Sequence, residues 1–364
     1  MVAPILTRLH TEISSTSDPE RQGVLTVQVA SYLARIGEFD EAERLRLELR
    51  RQFGDGHNAE VSIRIMCLEA MQLYYQALDP KARDRLLRAN LLAVACKHSG
   101  LCAYTFAWLA HIDFNQAKYA EMATWIRRCN ESLSSDDGSA RCRLSLVLGD
   151  ANLFAMQDEE SRKWYEQARL LATKLGDQAA IGAVTYNSAA LKVTNGRIRH
   201  LRSPLSKSEV DSLALGVRSA VNYQYVARLS SLDHLLTAAT VGVDVLANRY
   251  DVAQLAIEGL LANPATSPDS IERASLLADL SLVHAKLGRK DQSKECMSSA
   301  AGLANRFGGS EDRAIVFGSL AQAGEALQDQ ESASEFAKRR DEALSDHQAT
   351  IDGLAALLAP YRGA

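Results

Sequence analysis

The chain's 364 residues carry 41 Lys and Arg against 45 Asp and Glu, a formal net charge of −4, with 47% hydrophobic and only 6% aromatic residues. That balance offers no general attraction to nucleic acid or to an anionic membrane surface, and no stretch approaches the roughly 18 consecutive apolar residues of a spanning helix. Abundant Ala and Leu with only seven prolines suit closely packed helices, since both residues favour helix and Ala lets backbones approach.

The first ten residues (MVAPILTRLH) lack the basic flank, apolar core and small-residue cleavage site of a secretory leader. The six cysteines (Cys67, Cys96, Cys102, Cys129, Cys142 and Cys296) form no C-x-x-C pair. The expectation is a reduced, cytoplasmic chain whose cysteines act as small hydrophobes. Pro4 to Ile13 reads as a short amphipathic cap. Thr16-Ser17-Asp18-Pro19-Glu20 then supplies a helix start, with a capping Ser or Asp ahead of Pro in the first turn. Leu25, Val29, Leu33 and Ile36 recur at helical spacing, Gly37-Glu38-Phe39-Asp40-Glu41-Ala42 makes a turn, and Leu45, Leu49 and Phe53 carry a second helix to Gly54. Gly37 and Gly54 each suit the left-handed conformation that ends a helix.

A polar turn closing on a small or apolar residue recurs at Ala42, Ala82, Met122, Ser161, Leu201, Ala253, Ser293 and Ser332, with gaps of 40, 40, 39, 40, 52, 40 and 39 residues. Self-similarity at such a period marks a solenoid, whose stacked helix pairs make a long concave surface suited to binding. Second helices close on a further tag: Phe53-Gly54-Asp55, Leu175-Gly176-Asp177 and Phe307-Gly308-Gly309.

The run from Gly37 to Ala42 resembles the turn between paired helices of the tetratricopeptide repeat family, and Ala30 matches that family's small residue at the helix crossing. Ala70, Ala82 and Ala89 fit in the second repeat, Ala110, Tyr119 and Met122 in the third, and Gly149, Tyr165 and Ala168 in the fourth; Tyr250, Ala253 and Pro264, then Gly288, Ser293 and Ala300, follow later. The usual unit has about 34 residues, so a period near 40 lengthens each helix by half a turn to a turn. Units of this length are similar to the sensor regions of large bacterial transcriptional activators and to bacterial peptide-responsive regulators. The resemblance runs from about residue 20 to 340. It implies an all-α fold: a right-handed α-solenoid of about eight helix-turn-helix repeats with capping helices at both ends.

The expected organisation is an N-terminal cap at 1–18, repeats one to five at 19–201, an irregular basic loop at 202–212, repeats six to eight at 213–340 and a C-terminal capping helix at 341–364. In the enlarged step Asn195-Gly196 reads as a helix end, and Arg197 to Lys207 (RIRHLRSPLSK) is basic and interrupted by Pro204, with Ser208 capping the next helix. The step reads as a loop on one rim or as a hinge between five repeats and three. Arg197, Arg199, His200, Arg202 and Lys207 offer contact to phosphate or an acidic partner, although five basic groups without interleaved aromatics on an acidic protein more commonly form a solvated loop. At the far end Leu344, His347, Ile351, Leu354 and Leu358 form one face of a long helix before Pro360, covered by the chain itself or by a second copy in a homodimer.

No P-loop, no strand-preceded G-x-G-x-x-G and no H-E-x-x-H occurs, so an enzyme reading and a cofactor rest on nothing positive. Cys96, His98, Cys102 and His111 are soft ligands within sixteen residues, but Ser99-Gly100 breaks the helix between them, which argues against a metal site. The stronger signal is a polar-aromatic stripe. Projected from the closing residues, the concave positions of the first helices are Arg64, Tyr74 and Tyr75 in repeat two, Tyr104, Trp108, His111 and Asn115 in repeat three, Arg143 and Asp150 in repeat four, and Tyr186 and Asn187 in repeat five. Amides and hydroxyls there suit a peptide backbone, while Tyr and Trp supply area at little entropic cost; the same aromatics also suit a core. Repeats six to eight place Ala238, Gly242, Ala278 and Leu282 at matching positions. The stripe does not match the carboxylate clamp of chaperone-binding tetratricopeptide domains. The leading expectation is a non-catalytic bacterial regulatory or scaffold protein that holds a protein or peptide segment in its groove. The alternative is a signal-peptide or small-molecule sensor that regulates a transcription factor or another partner.

Overall fold

The computed structural model describes residues 3–54, 56, 58–231, 233–264 and 266–362; Asp55 of the first tag lies outside them. The described residues form seventeen α-helices, without a strand. They are α1 (Pro4–Ser15), α2 (Pro19–Ile36), α3 (Phe39–Phe53), α4 (Ala59–Ala77), α5 (Lys81–Ala95), α6 (Ser99–Asn115), α7 (Tyr119–Ser132), α8 (Gly138–Phe154) and α9 (Asp158–Leu175). The series continues with α10 (Gln178–Arg202), α11 (Lys207–Ala227), α12 (Asp233–Leu246), α13 (Tyr250–Ala262), α14 (Ile271–Lys286), α15 (Lys290–Ala304), α16 (Ser310–Leu327) and α17 (Gln330–Leu358). Each even-numbered helix from α2 pairs with the one after it, and the even-numbered helices also stack on one another from α2 through α16. The result is one helical repeat array with a continuous seam. None of these helices is long and apolar enough to cross a membrane.

The period is built into the backbone. First helices end on a left-handed residue at Gly37, Leu78, Ala117, Met156, Asn248, Gly288 and Gln328. Only two of these are glycine, so the turn geometry recurs even where the side chain disfavours it. Twelve residues separate the two members of each helix crossing: Ala30 and Ala42, Ala70 and Ala82, Ala110 and Met122, Val241 and Ala253, all at most 1% exposed. At two crossings the approach is tight enough for a hydroxyl to bond the facing backbone. Ser161 Oγ donates to Gly149 O at 2.9 Å, and Ser293 Oγ donates to Ser281 O at 2.8 Å. A Cβ on Gly149 would lie 2.7 Å from the Tyr165 ring, which is why that crossing needs glycine. Asp18 caps α2 by accepting from Glu20 N–H, and Gly37 takes the left-handed cap at φ +95°, whereas Gly54 stays right-handed at φ −72°.

The enlarged step is a helix rather than a loop. α10 runs unbroken through Asn195 and Gly196 to Arg202 and is 25 residues long against 17 for α8, about two extra turns. Asn195 stays in the helix because its Nδ2 donates to Leu153 O at 2.8 Å. Gly196 stays because Leu213 approaches to 2.7 Å of where its Cβ would be. Leu201, expected at a turn, lies in the last turn of α10. The true linker is Ser203 to Ser206, and Ser206, not Ser208, caps α11 through a reciprocal box with Glu209. The far half of α10 lies in a channel of small residues: Val193 meets Gly242 and Leu201 meets Gly318. Arg197 forms an ion pair there with Asp279, which is 2% exposed.

Two further contacts curl the array onto itself. Ile5 N–H donates to Gly176 O at 3.3 Å, and the α2–α3 turn abuts the α11–α12 turn, where Ser230 N–H donates to Ile36 O at 2.9 Å and Ser231 Oγ to Arg35 O at 2.6 Å. At the other end α17 is continuous from Gln330, with no boundary at 341, and packs back on α7 and α8. Leu344, His347, Ile351, Leu354 and Leu358 are all buried, Leu344 against Ile198 and Ile315 and the His347 ring edge-on to Phe154 at 5.5 Å. The apolar face offered to a second copy is therefore covered by the chain's own repeats.

Candidate functional site

Helical spacing aims the stripe. Tyr104, Trp108, His111 and Asn115 follow one another by four, three and four residues along α6, and Arg143 and Asp150 are seven apart on α8, so each set shares a face. Stacking of α4, α6, α8 and α10 sets these faces side by side around two cavities. The first, of about 360 Å³, is lined by Tyr74, Tyr75, His111, Asn115, Arg143, Asp150, Tyr186 and Asn187 among others. The second, of about 280 Å³, is lined by Arg64, Tyr104, Trp108 and again Arg143. All eleven stripe positions reach one cavity or the other, and two residues, Arg35 and Arg143, reach both.

The first cavity is organised from within. Tyr74 and Tyr75 meet edge to face at 5.1 Å, Tyr74 meets His111 at 5.3 Å, and Trp108 meets His111 at 5.7 Å. The Tyr74 hydroxyl lies 3.1 Å from His111 Nε2 and accepts from Asn115 Nδ2 at 2.9 Å. Burial, with the Arg143 charge adding to it, pushes His111 well below its ordinary pKa, so the ring is neutral at pH 7. Burial pushes the Tyr74 and Tyr186 hydroxyls above their ordinary range, so both remain protonated. Asp150, 1% exposed, accepts from Tyr165 Oη and Asn187 Nδ2, each at 2.8 Å. Burial raises its carboxyl to about 7, against the opposing pull of those two bonds and of Arg143. The lining thus combines neutral hydroxyl, amide and imidazole groups with π faces and a few charged side chains.

Sequence reasoning missed one wall. Arg35 enters from α2, where it pairs with Asp177 at 2.7 Å and lies 5.5 Å over the Tyr32 ring; Gln224 enters from α11, Leu229 and Ser231 from the turn after it, and Leu235 from α12. The Arg35–Asp177 pair spans 142 residues, and no local pattern announces such a contact. The basic residues of the long step stay away from both cavities. Arg197 is committed to Asp279 and Ser319, Arg199 to Glu209, and Arg202 lies 3.5 Å from Gln348. His200 Nδ1 accepts from Leu205 N–H, and Lys207 is exposed in the first turn of α11. The soft-ligand set also disperses: Cys96 is exposed, His98 caps α6 by accepting from Leu101 N–H, Cys102 is buried and His111 faces Tyr74. Among the described residues no cluster of three or more His, Cys, Asp or Glu is placed to hold a metal ion.

No protein-family model matches the chain, and no curated protein matches it. Among solved structures the chain is similar to a Rap protein complexed with competence and sporulation factor, with a TM-score of 0.56 and 14% sequence identity over 93% of each chain. At that identity the likeness is one of fold: this chain is an α-helical repeat solenoid.

Proposed function

We propose that this chain is a non-catalytic regulatory scaffold of the tetratricopeptide type that holds a peptide or protein segment in the groove formed by α4, α6, α8 and α10. The observation that carries the reading is the convergence of eight stripe residues from four repeats on one cavity of about 360 Å³. Hydroxyl and amide groups of Tyr74, Asn115, Tyr186 and Asn187 suit a peptide backbone, and the aromatic rings supply contact area. The likeness of fold to a protein solved in complex with a factor adds support. A second reading, a sensor for a signal peptide or small molecule acting through another protein, is favoured by the size of the first cavity, about 360 Å³, within the usual range of roughly 300–1,000 Å³ for ligand sites.

The test is a thermal-melt screen of short peptides and metabolites, followed by the double substitution Tyr186→Ala with Asn187→Ala. A ligand present at a hundred times its Kd adds about 2.7 kcal/mol of stability. The double variant is expected to keep its helicity by circular dichroism and to lose the shift. An unchanged shift removes the groove assignment, and a hit confined to metabolites selects the sensor.

A further inference from the structure

Arg143 stands apart from every other arginine that reaches the cavities. Arg35 is neutralised by Asp177, and Arg64 pairs with Glu60 at 2.8 Å. Arg143 is only 5% exposed, lies in the second turn of α8 and borders both cavities, yet among the described residues it makes no hydrogen bond or ion pair. Its one close partner is the Trp108 ring, with Cζ 3.9 Å from the ring centroid. A guanidinium does not shed its proton inside a protein, so burial leaves the charge in place. Stacking on a tryptophan face satisfies the flat side of the fork but none of its five N–H donors.

The carboxylates nearby are engaged elsewhere. Asp150 is held by Tyr165 and Asn187, Asp177 by Arg35 and the Ala180 N–H, Asp79 by the Lys81 N–H and Asp137 by Ser134. Asp150 sits two turns along the same helix, and its raised carboxyl supplies less than a full negative charge at neutral pH. Of the three arginines that line the cavities, Arg143 is thus the one that meets no carboxylate directly, with neutral His111, Tyr and Asn groups around it.

We propose that Arg143 is the anchor for a carboxylate of the bound peptide, taken by the guanidinium edge while its face stays on Trp108. The inference rests on the peptide reading above. A single positive charge matches a carboxylate; a phosphate dianion calls for a second free cation, which Arg35 and Arg64, already paired, do not provide. Both the C-terminal carboxylate of a short peptide and an acidic side chain carry this chemistry.

The experiment uses the full chain and four pools of random hexapeptides, with or without Asp and Glu, each as free acid or as C-terminal amide. Retained peptides are read by mass spectrometry. The expected result is that the amidated pool free of Asp and Glu is retained at least about tenfold less than the pools that carry a carboxylate. The two pools with a single kind of carboxylate show whether the chain end or the side chain supplies it. Arg143→Met is expected to abolish the discrimination and to raise the Tm of the unliganded chain, because it replaces a buried charge that has no direct ion-pair partner with an apolar side chain. Arg143→Gln makes the same comparison should the Met variant not fold. Equal retention of the carboxylate-free pool overturns the proposal while leaving peptide capture standing, as does discrimination that persists in the variants. Retention from none of the pools overturns both the proposal and the peptide reading.

Discussion

The inner helices of repeats two to five and those of repeats six to eight solve the same packing problem with opposite inner surfaces. α4, α6 and α8 point Tyr, Trp, His, Arg and Asp inward around open cavities. α12, α14 and α16 present small residues instead, and the chain fills the space they leave with its own α10: Gly242 receives Val193, and Gly318 receives Leu201. A solenoid groove is thus a choice made repeat by repeat. Bulky polar residues leave it open, and glycines let a helix of the same chain occupy it.

Five substitutions probe this contrast. The largest effect is expected from Arg197→Ala, which strands Asp279 in the filled half with only the Ser319 hydroxyl as donor. Breaking a buried pair of this kind costs about 3–5 kcal/mol, read by chemical denaturation. Stability unchanged by this substitution would mean that α10 does not lock repeats six to eight. Next, Gly318→Leu drives a side chain into Leu201, 2.3 Å from the built Cβ, and is expected to cost about 2 kcal/mol. Ala183→Leu adds similar bulk to the open half, where Ala183 lines the first cavity. It is expected to cost less than about 1 kcal/mol while blocking ligand shifts in the melt screen.

The fourth concerns pH. The folded carboxyl of Asp150 lies near 7 against an ordinary 3.8. Between about pH 4 and pH 7 the folded chain holds a proton that the unfolded chain has released, so stability falls as pH rises through that window and stays lowered above it. Asp150→Asn removes this slope. It is expected to gain roughly 4 kcal/mol at pH 8 and almost nothing at pH 4, measured as denaturation midpoints at both values. A parallel offset at the two pH values would contradict the assignment. The smallest effect is expected at Ala117, exposed and left-handed at φ +55°. Ala117→Gly relieves that conformation and should stabilise by about 0.5–1 kcal/mol. Destabilisation would mean that flexibility in the unfolded state outweighs the strain.

What could be read from the sequence was what repeats. The period of 40 follows from the turn and crossing residues, and seven of the eight closing residues do lie in the first turn of a second helix, from Ala42 in α3 to Ser332 in α17. The inward direction of the stripe was legible for the same reason, since helical spacing fixes a face once the crossing residue is known. Contacts made once in the molecule were not legible. Asn195 and Gly196 carry the composition of a helix stop, yet the first bonds a distant carbonyl and the second admits Leu213. Arg35 looked like an ordinary basic residue near a helix end until Asp177 came round the curl to meet it. The apolar face of α17 was visible, but its seat on α7 and α8 was not.

The continuity of α10 has a mechanical consequence. Tyr186 and Asn187 stand on its groove half, while Val193, Arg197 and Leu201 are keyed into repeats six to eight. At 1.5 Å per residue the rod is about 37 Å long, and a tilt of about 5° at one end carries the other through about 3 Å. Any shift imposed on the groove end would therefore be levered to the remote half of the protein, without a loop in between to absorb the stroke.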